Sequence, residues 1–124
     1  MTDCSAIIST GRKFPRSSYS HDDSETRKTI TAVALSGESV FLFDNVSGYF
    51  GLPSLDSALT AQEWTDRLLG TNRTPKLPLN VIWYANGNNV ALAADTARRT
   101  LHIRLESFEE KPEERTQFSQ ANLE

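Results

Sequence analysis

The sequence contains a single cysteine, Cys4, and no long hydrophobic run. One cysteine cannot form an internal disulfide and gives no zinc cluster. The longest apolar runs, such as residues 40–43, are far too short to span a bilayer. The N-terminus has no basic start followed by an apolar stretch, so it does not resemble a secretory signal peptide. These absences indicate a cytoplasmic, reduced protein without a membrane partner.

A strong excess of one charge is also missing. The net charge is -3. Residues 1–105 carry eleven Lys/Arg against ten Asp/Glu, whereas residues 106–124 carry two against six. Composition alone therefore gives no electrostatic footprint for nucleic acid, and the acidic tail is expected to be solvated or frayed. With 124 residues, 38% hydrophobic and 23% charged, the chain fits one modest globular domain.

Hydrophobic periodicity and turn residues predict an α/β order with mainly parallel strand pairing. The chain is predicted to begin with a helix over residues 3–10 ending at Gly11, a loop over 11–21, and a helix from Asp22 or Asp23 to Leu35 with Ile30, Val33 and Ala34 as its apolar stripe. A buried strand over 39–44, a loop containing Gly48 and Gly51 and a short helix over 53–59 follow. The remaining predicted elements are a hairpin turn over 70–75 flanked by 64–69 and 77–85, a second apolar strand over 81–85, a helical turn over 95–99 and an alternating strand over 100–106. Trp64 and Trp83 are expected in the core.

Three groups of polar residues could carry chemistry. Asp44 follows a buried apolar run, where open α/β sheets place ligands and where a carboxylate can hold Mg²⁺; the alternative is an aspartate that only caps a loop. Asn86, Asn88 and Asn89 follow the second strand and could orient water or contact a phosphate; the alternative is an Asn-Gly turn with local capping. Arg98 and Arg99 could reach a phosphate bound by a neighbouring subunit, or could be a solvated basic pair on a helix.

Taken in order, these groups resemble the P-loop ATPase domain of superfamily III helicases, a division of the AAA+ group found in phage and plasmid primase-helicase proteins. The similarity extends from about Thr10 to Phe118. It rests on residues 42–46, 55–56, 58–60, 64, 66–67, 69–70, 83–90, 95–99 and 104–115.

The resemblance implies an incomplete P-loop NTPase-like three-layer sandwich over residues 1–118, with a divergent tail over 119–124. It implies ATP and Mg²⁺ as cofactors of the complete parent domain, with none in this chain alone. DNA and homo-oligomeric ring subunits would be the partners of that parent.

The resemblance also assigns roles to single residues. It makes Asp44 the magnesium-binding Walker B acid and Asn88 the sensor asparagine, with Arg98 or Arg99 as the arginine finger. Asn45 stands where many related ATPases have a catalytic glutamate, and an amide cannot accept the proton of water, so the general base is left open. Asn86 replaces a threonine expected at that position.

The hairpin over residues 64–79 falls where superfamily III proteins have a β-hairpin that can touch DNA. Arg67, Arg73 and Lys76 are therefore candidate phosphate contacts. The alternative is a solvated turn that binds nothing.

None of the six glycines begins a G-x-x-x-x-G-K-[ST] motif, the loop that cradles the β- and γ-phosphates. We therefore expect Met1 to be an internal start, or the chain to be a gene fragment that begins just past that loop. A sheet lacking the phosphate-loop strand would expose residues 40–43 and be marginally stable.

Three hypotheses about function follow. The chain could be a fragment of an ATP-dependent DNA helicase or primase-helicase, inactive alone. It could be a non-catalytic module that associates with or inhibits full-length ATPase subunits, including a longer paralogue. It could also be a translated relic without function.

Overall fold

The computed structural model describes residues 2–68, 70 and 72–106. In chain order the elements are α1 (Thr2–Thr10), β1 (Arg16–Ser18), α2 (Asp23–Ser36), β2 (Val40–Phe50), α3 (Pro53–Ala58), β3 (Glu63–Thr65), β4 (Lys76–Pro78), β5 (Ile82–Leu92) and α4 (Ala94–Arg98). The fold class is α/β, as the sequence predicts.

Local capping chemistry defines the ends of α2. The Asp22 carboxylate accepts a hydrogen bond from the Ser24 backbone N–H at 2.8 Å, which satisfies one of the free donors of the first turn. Gly37 adopts the left-handed conformation, with φ 66°, and its N–H closes the last turn on the Ala34 carbonyl. The predicted helix and its aspartate cap are confirmed. So are the predicted helices α1, which ends before Gly11, and α3, which begins at Pro53.

Three parallel strands form the main sheet, in the order β1-β2-β5. β2 lies at the centre, where it pairs with β1 on one side and with β5 over nearly its whole length on the other. β3 and β4 form a separate antiparallel pair, with Trp64 opposite Leu77. The predicted hairpin is confirmed as this pair, although its turn includes residues 69 and 71, which lie outside the described part of the chain.

Helices cover both faces of the sheet. Val40 and Leu42 of β2 pack with Ala6 of α1 and with Phe14. Phe41, Phe43, Val46 and Phe50 project to the opposite face, where they pack with Val33 of α2 and Leu55 of α3. Alternation along β2 thus supplies two cores, and the arrangement is compatible with a Rossmann-like sandwich.

Two β-bulges interrupt the pairing of β2 with β5. Between the pairs Phe43–Ala85 and Val46–Gly87, β2 contains two residues and β5 only one; between Ser47–Asn88 and Tyr49–Ala91, the extra residue is on β5. Each bulge contains a non-glycine residue with positive φ, Asn45 at 57° and Asn89 at 52°. The bulge on β2 keeps Val46 and Phe50 on the same face as Phe43, although simple alternation after Phe43 would turn them away.

Several predictions about the strands were wrong. The strand expected to end at Asp44 continues to Phe50, because the Asn45 and Gly48 that resemble turn residues are accommodated within a bulged strand. The segment 11–21 was predicted to be a loop throughout, but it contains the short strand β1. Residues 100–106 form no strand; Leu101, Ile103 and Leu105 are 87%, 72% and 70% exposed.

The expected exposure of residues 40–43 was also wrong. All four are at most 6% exposed, because β1 and β5 flank β2 and helices cover both of its faces. Trp64 is buried as expected, and Trp83 is partly buried with its ring stacked on Phe43. The acidic tail beyond Glu106, including the predicted divergent segment 119–124, lies outside the described residues. No helix in the described part of the chain is long and apolar enough to cross a membrane.

Candidate functional site

Asp44 lies within β2 and faces α1, on the side of the sheet where Leu42 packs. Its carboxylate is 37% exposed, and Asp44 Oδ2 accepts a hydrogen bond from Arg16 Nη1 at 3.3 Å. Arg16, from β1, also pairs with Asp3 of α1. One guanidinium therefore joins two carboxylates that are distant in sequence, and it holds Asp44 where β1, β2 and α1 meet.

The ionisation of this cluster follows from these contacts. The hydrogen bond from Arg16 holds the pKa of Asp3 below its ordinary value, and the hydrogen bonds to Asp3 and Asp44 raise the pKa of Arg16. Arg16 thus stays charged. A cation that approached Asp44 would have to compete with this guanidinium. No group of three or more His, Cys, Asp or Glu side chains within the described ranges is arranged to hold a metal ion.

Asn45 and Asn86 fix the bulge beside Asp44. The side-chain oxygen of Asn86 accepts a hydrogen bond from the Asn45 backbone N–H at 2.8 Å. This bond satisfies a donor that the bulge removes from the ladder, and it holds Asn45 in the left-handed conformation. Asn86, the residue that departs from the expected threonine, therefore positions the backbone immediately after Asp44.

Gly87 allows the two strands to approach each other at this point. A Cβ atom on Gly87 would lie 1.9 Å from the Val46 carbonyl oxygen and 2.8 Å from the Val46 carbonyl carbon. Only a residue without a side chain fits there. The structure thus explains why an asparagine stands at position 86 and a glycine at position 87. Asn88, opposite Ser47 in the next pair, is exposed.

Arg98 and Arg99 lie at the end of α4, beyond the carboxyl ends of β2 and β5. Arg99 donates to Thr60 Oγ1 at 3.0 Å and to Asp95 Oδ2 at 2.9 Å, so its guanidinium is engaged within the chain. Arg98 is exposed, and no hydrogen bond or ion pair joins it to another described residue. Because Asp44 precedes the end of β2 by six residues, roughly 20 Å of strand at 3.3 Å per residue separates it from that end. The structure does not bring Asp44 and the arginines together in one chain.

The three basic residues of the hairpin region lie in different settings. Arg67 donates to Asn72 Oδ1 at 2.9 Å, within the turn. The Nζ of Lys76 lies 3.9 Å from Glu63 across the β3–β4 pair, and both side chains are largely exposed. Arg73 contributes its carbonyl oxygen to the Leu68 N–H at 3.2 Å. None of these three contacts joins one of the basic residues to another.

One residue of this site, Arg16, and one contact, between Asn45 and Asn86, were missed by sequence reasoning. Arg16 stands in a segment without apolar pattern, and its pairing with Asp44 joins positions 28 residues apart. The hydrogen bond from Asn45 to Asn86 joins positions 41 residues apart. Neither contact leaves a local signal, although three asparagines in residues 86–89 do mark the region as unusual.

The chain was compared with known proteins at three levels. No protein-family model, no curated protein and no solved structure matches it.

Proposed function

We propose that the chain is part of an ATPase domain of the superfamily III primase-helicase kind, which acts in phage or plasmid DNA replication, and that this part does not hydrolyse ATP alone. The observation that carries the proposal is the contact between the Asp44–Asn45 segment of β2 and Asn86 of β5. In open α/β sheets, a nucleotide and its metal are held by polar residues of neighbouring parallel strands, usually at their carboxyl ends. Here the acid and the amide stand side by side within the strands, with Asp44 six residues before the end of β2.

In the complete parent domain, Asp44 would bind Mg²⁺ in place of its contact with Arg16. Magnesium is commonly held by one or two carboxylates together with phosphate oxygens of the substrate. Asp44 is half-exposed and has the charge for this role, but a single carboxylate is a weak site. ATP held by a phosphate loop would have to supply the remaining ligands. We therefore expect no tight magnesium binding by the chain alone.

Asn88 would act on the nucleotide bound by its own chain, and Arg98 on the nucleotide of a neighbouring subunit. Asn88 is exposed beside the bulge and could orient water or a phosphate. Arg98 is the better candidate for the arginine finger, because Arg99 is held by Thr60 and Asp95. An exposed guanidinium at the end of α4, far from Asp44 of its own chain, suits contact with a nucleotide bound by a neighbouring ring subunit.

The test begins with the genomic DNA upstream of the Met1 codon. We expect an apolar strand and a G-x-x-x-x-G-K-[ST] motif there, in the same frame. The joined chain should hydrolyse ATP in the presence of Mg²⁺. Asp44→Asn should reduce turnover at least about a hundredfold, because even residues that only hold a metal ligand in place are worth about 10–100-fold. Glu63→Gln, a charge change on an exposed residue, should not reduce it. Absence of the motif from every upstream frame, or ATP turnover that survives Asp44→Asn, would overturn the proposal.

A second function is favoured by a different observation. β5 pairs only with β2 among the described strands, and its eleven residues contain no charge and no proline. Natural sheets usually protect an open edge with charged residues or proline, as the short β1 does here with Arg16 and with Pro15 just before it. The exposed apolar side chains at positions 101, 103 and 105 lie further along the chain. These features support a module that associates with longer ATPase subunits without catalysis.

Co-purification tests this alternative. A tagged chain should capture a longer paralogue from cells, and Ala85→Lys, which adds a charge to β5, should weaken the capture. A matched Ala32→Lys change on the exposed side of α2 should leave it unaffected. Capture that is equal for both variants would count against an interface at β5.

A further inference from the structure

A pocket of about 560 Å³ opens between the first half of α2 and the β3–β4 hairpin. Its lining is Ser24, Arg27, Lys28, Asp66, Arg67, Leu68, Gly70 and Asn72. Three of these side chains are cationic, one is anionic and only one is apolar. The volume suits a nucleotide-sized group, and the lining suits an anion. The pocket adjoins α2, on the face of the sheet opposite to Asp44 and α1.

The one acidic residue of the lining is already neutralised. Asp66 Oδ1 lies 3.0 Å from Arg27 Nη2 and accepts the Arg67 backbone N–H at 2.8 Å, while the Thr31 hydroxyl donates to Asp66 Oδ2 at 2.8 Å. The Asp66 side chain is only 14% exposed. It therefore acts as an anchor that orients Arg27, and it offers little negative charge to a ligand.

The cations keep donor capacity after their contacts within the chain. Arg67 gives one N–H to Asn72, and a guanidinium has five. Lys28 Nζ lies 2.5 Å from Glu25, and an ammonium has three N–H groups. Both side chains are exposed at the pocket, one from α2 and one from the hairpin. Two elements thus present guanidinium and ammonium groups to one space, as phosphate recognition requires.

We propose that this pocket binds a phosphate group, with Arg67, Lys28 and Arg27 as its ligands. The inference does not depend on the function proposed for Asp44, because the two places lie on opposite faces of the sheet and share no residue. The phosphate could belong to a nucleotide or to the backbone of a single-stranded nucleic acid. Both offer the same chemistry to the pocket.

The experiment is a titration of the full chain, followed by ¹H–¹⁵N spectra and by tryptophan fluorescence, to which Trp64 and Trp83 both contribute. Trp64 reports on the pocket because its Nε1–H donates to Thr31, which in turn donates to Asp66. Three probes are used separately at constant salt: inorganic pyrophosphate, ATP without metal, and a fluorescein-labelled twelve-residue oligothymidylate. Binding should shift the amide signals of Ser24, Lys28 and Asn72.

Two variants test the assigned ligands. Arg67→Gln and Lys28→Gln should each weaken binding by about tenfold, the effect of one lost charge-assisted hydrogen bond. Neither change removes a contact of the buried Asp66 side chain with Arg27 or Thr31, so both variants should fold. Lys13→Gln, an equal charge change on the α1 side, is the control and should bind as the wild type does.

The probes distinguish the sources of the phosphate. Tightest binding by ATP identifies a nucleotide site, and tightest binding by the oligonucleotide identifies a backbone site. If no probe shifts the three amides, the proposal fails. It fails equally if Lys13→Gln weakens binding as much as Lys28→Gln, because the effect would then come from overall charge.

Discussion

Gly87→Ala should be among the most damaging single substitutions in the sheet, although it adds only a methyl group. The new Cβ would lie 1.9 Å from the Val46 carbonyl oxygen, against a practical lower limit of 3.0 Å. The shortfall is about 1 Å, and the obstructing atom belongs to backbone within a central strand. Overpacking against flexible side chains costs about 1–3 kcal/mol, and a backbone obstacle relaxes less. We expect a loss of at least about 3 kcal/mol from the free energy of unfolding.

Gly48→Ala provides the matched control. Gly48 lies in the same strand pair, its φ is +68°, and nothing lies within 4 Å of the position that its Cβ would occupy. Its cost is therefore conformational only, about 1–2 kcal/mol. Both variants replace glycine by alanine. Comparing them separates the cost of a steric clash, at Gly87, from the cost of a positive φ, at Gly48.

Urea unfolding followed by tryptophan fluorescence measures both variants. With a slope of about 1.5 kcal/mol per molar urea, a loss of 3 kcal/mol lowers the midpoint by about 2 M. Gly48→Ala should lower it by about 1 M. A Gly87→Ala midpoint within about 0.3 M of wild type, or one above that of Gly48→Ala, would refute the close approach of β2 and β5.

Three other substitutions test the packing, the bulge and the buried carboxylate. Leu42→Ala empties a fully buried site and should cost about 2–5 kcal/mol in urea unfolding, whereas Leu105→Ala, at an exposed position, should cost under about 0.5 kcal/mol. Asn86→Ala removes the acceptor of the Asn45 N–H, so amide exchange at Asn45 should accelerate and stability should fall by about 1 kcal/mol; unchanged exchange would contradict the contact. Burial raises the pKa of Asp66, but Arg27 and the other donors outweigh it and hold the pKa below its ordinary value. Its contribution is thus present above about pH 4, the unfolded value, and is lost as the pH falls through the folded pKa. Asp66→Asn should be less stable than wild type at pH 7, by about 1–3 kcal/mol, and this difference should shrink in acid; a constant difference would show that the charge of Asp66 is not involved.

Local chemistry made the helices predictable. Asp22 and Gly37 bound α2, and Pro53 begins α3, because capping and turn preferences act within a few residues. The strands were harder. β1 has the sequence Arg-Ser-Ser, which carries no strand signal, and it extends only because β2 offers a partner. Alternation at residues 100–106 has the opposite outcome, because no strand in the described part of the chain lies beside this segment.

The candidate site was predictable in its parts and not in its contacts. Asp44 and the asparagines at 86–89 were identified because polar residues after apolar runs are unusual. Arg16, which pairs with Asp44, was not, because the pairing depends on how β1 lies beside β2. The same is true of Arg27 and Lys28, which face Arg67 only because the hairpin packs near α2. Contacts between distant segments depend on which residues are placed opposite each other, and the local sequence does not determine that register.

The two bulges have a consequence for how the length of this chain can vary. In each, two residues occupy the space of one, and the surplus residues with left-handed backbone are Asn45 and Asn89. Removal of either codon would regularise the ladder and leave Val46, Phe50 and Leu92 on their present faces. Removal of Phe43, where pairing is regular, would instead place Asp44 in the buried position opposite Ala85 that Phe43 now fills. Single-codon deletions should therefore survive at positions 45 and 89 and be purged from the stretch between Val40 and Phe43.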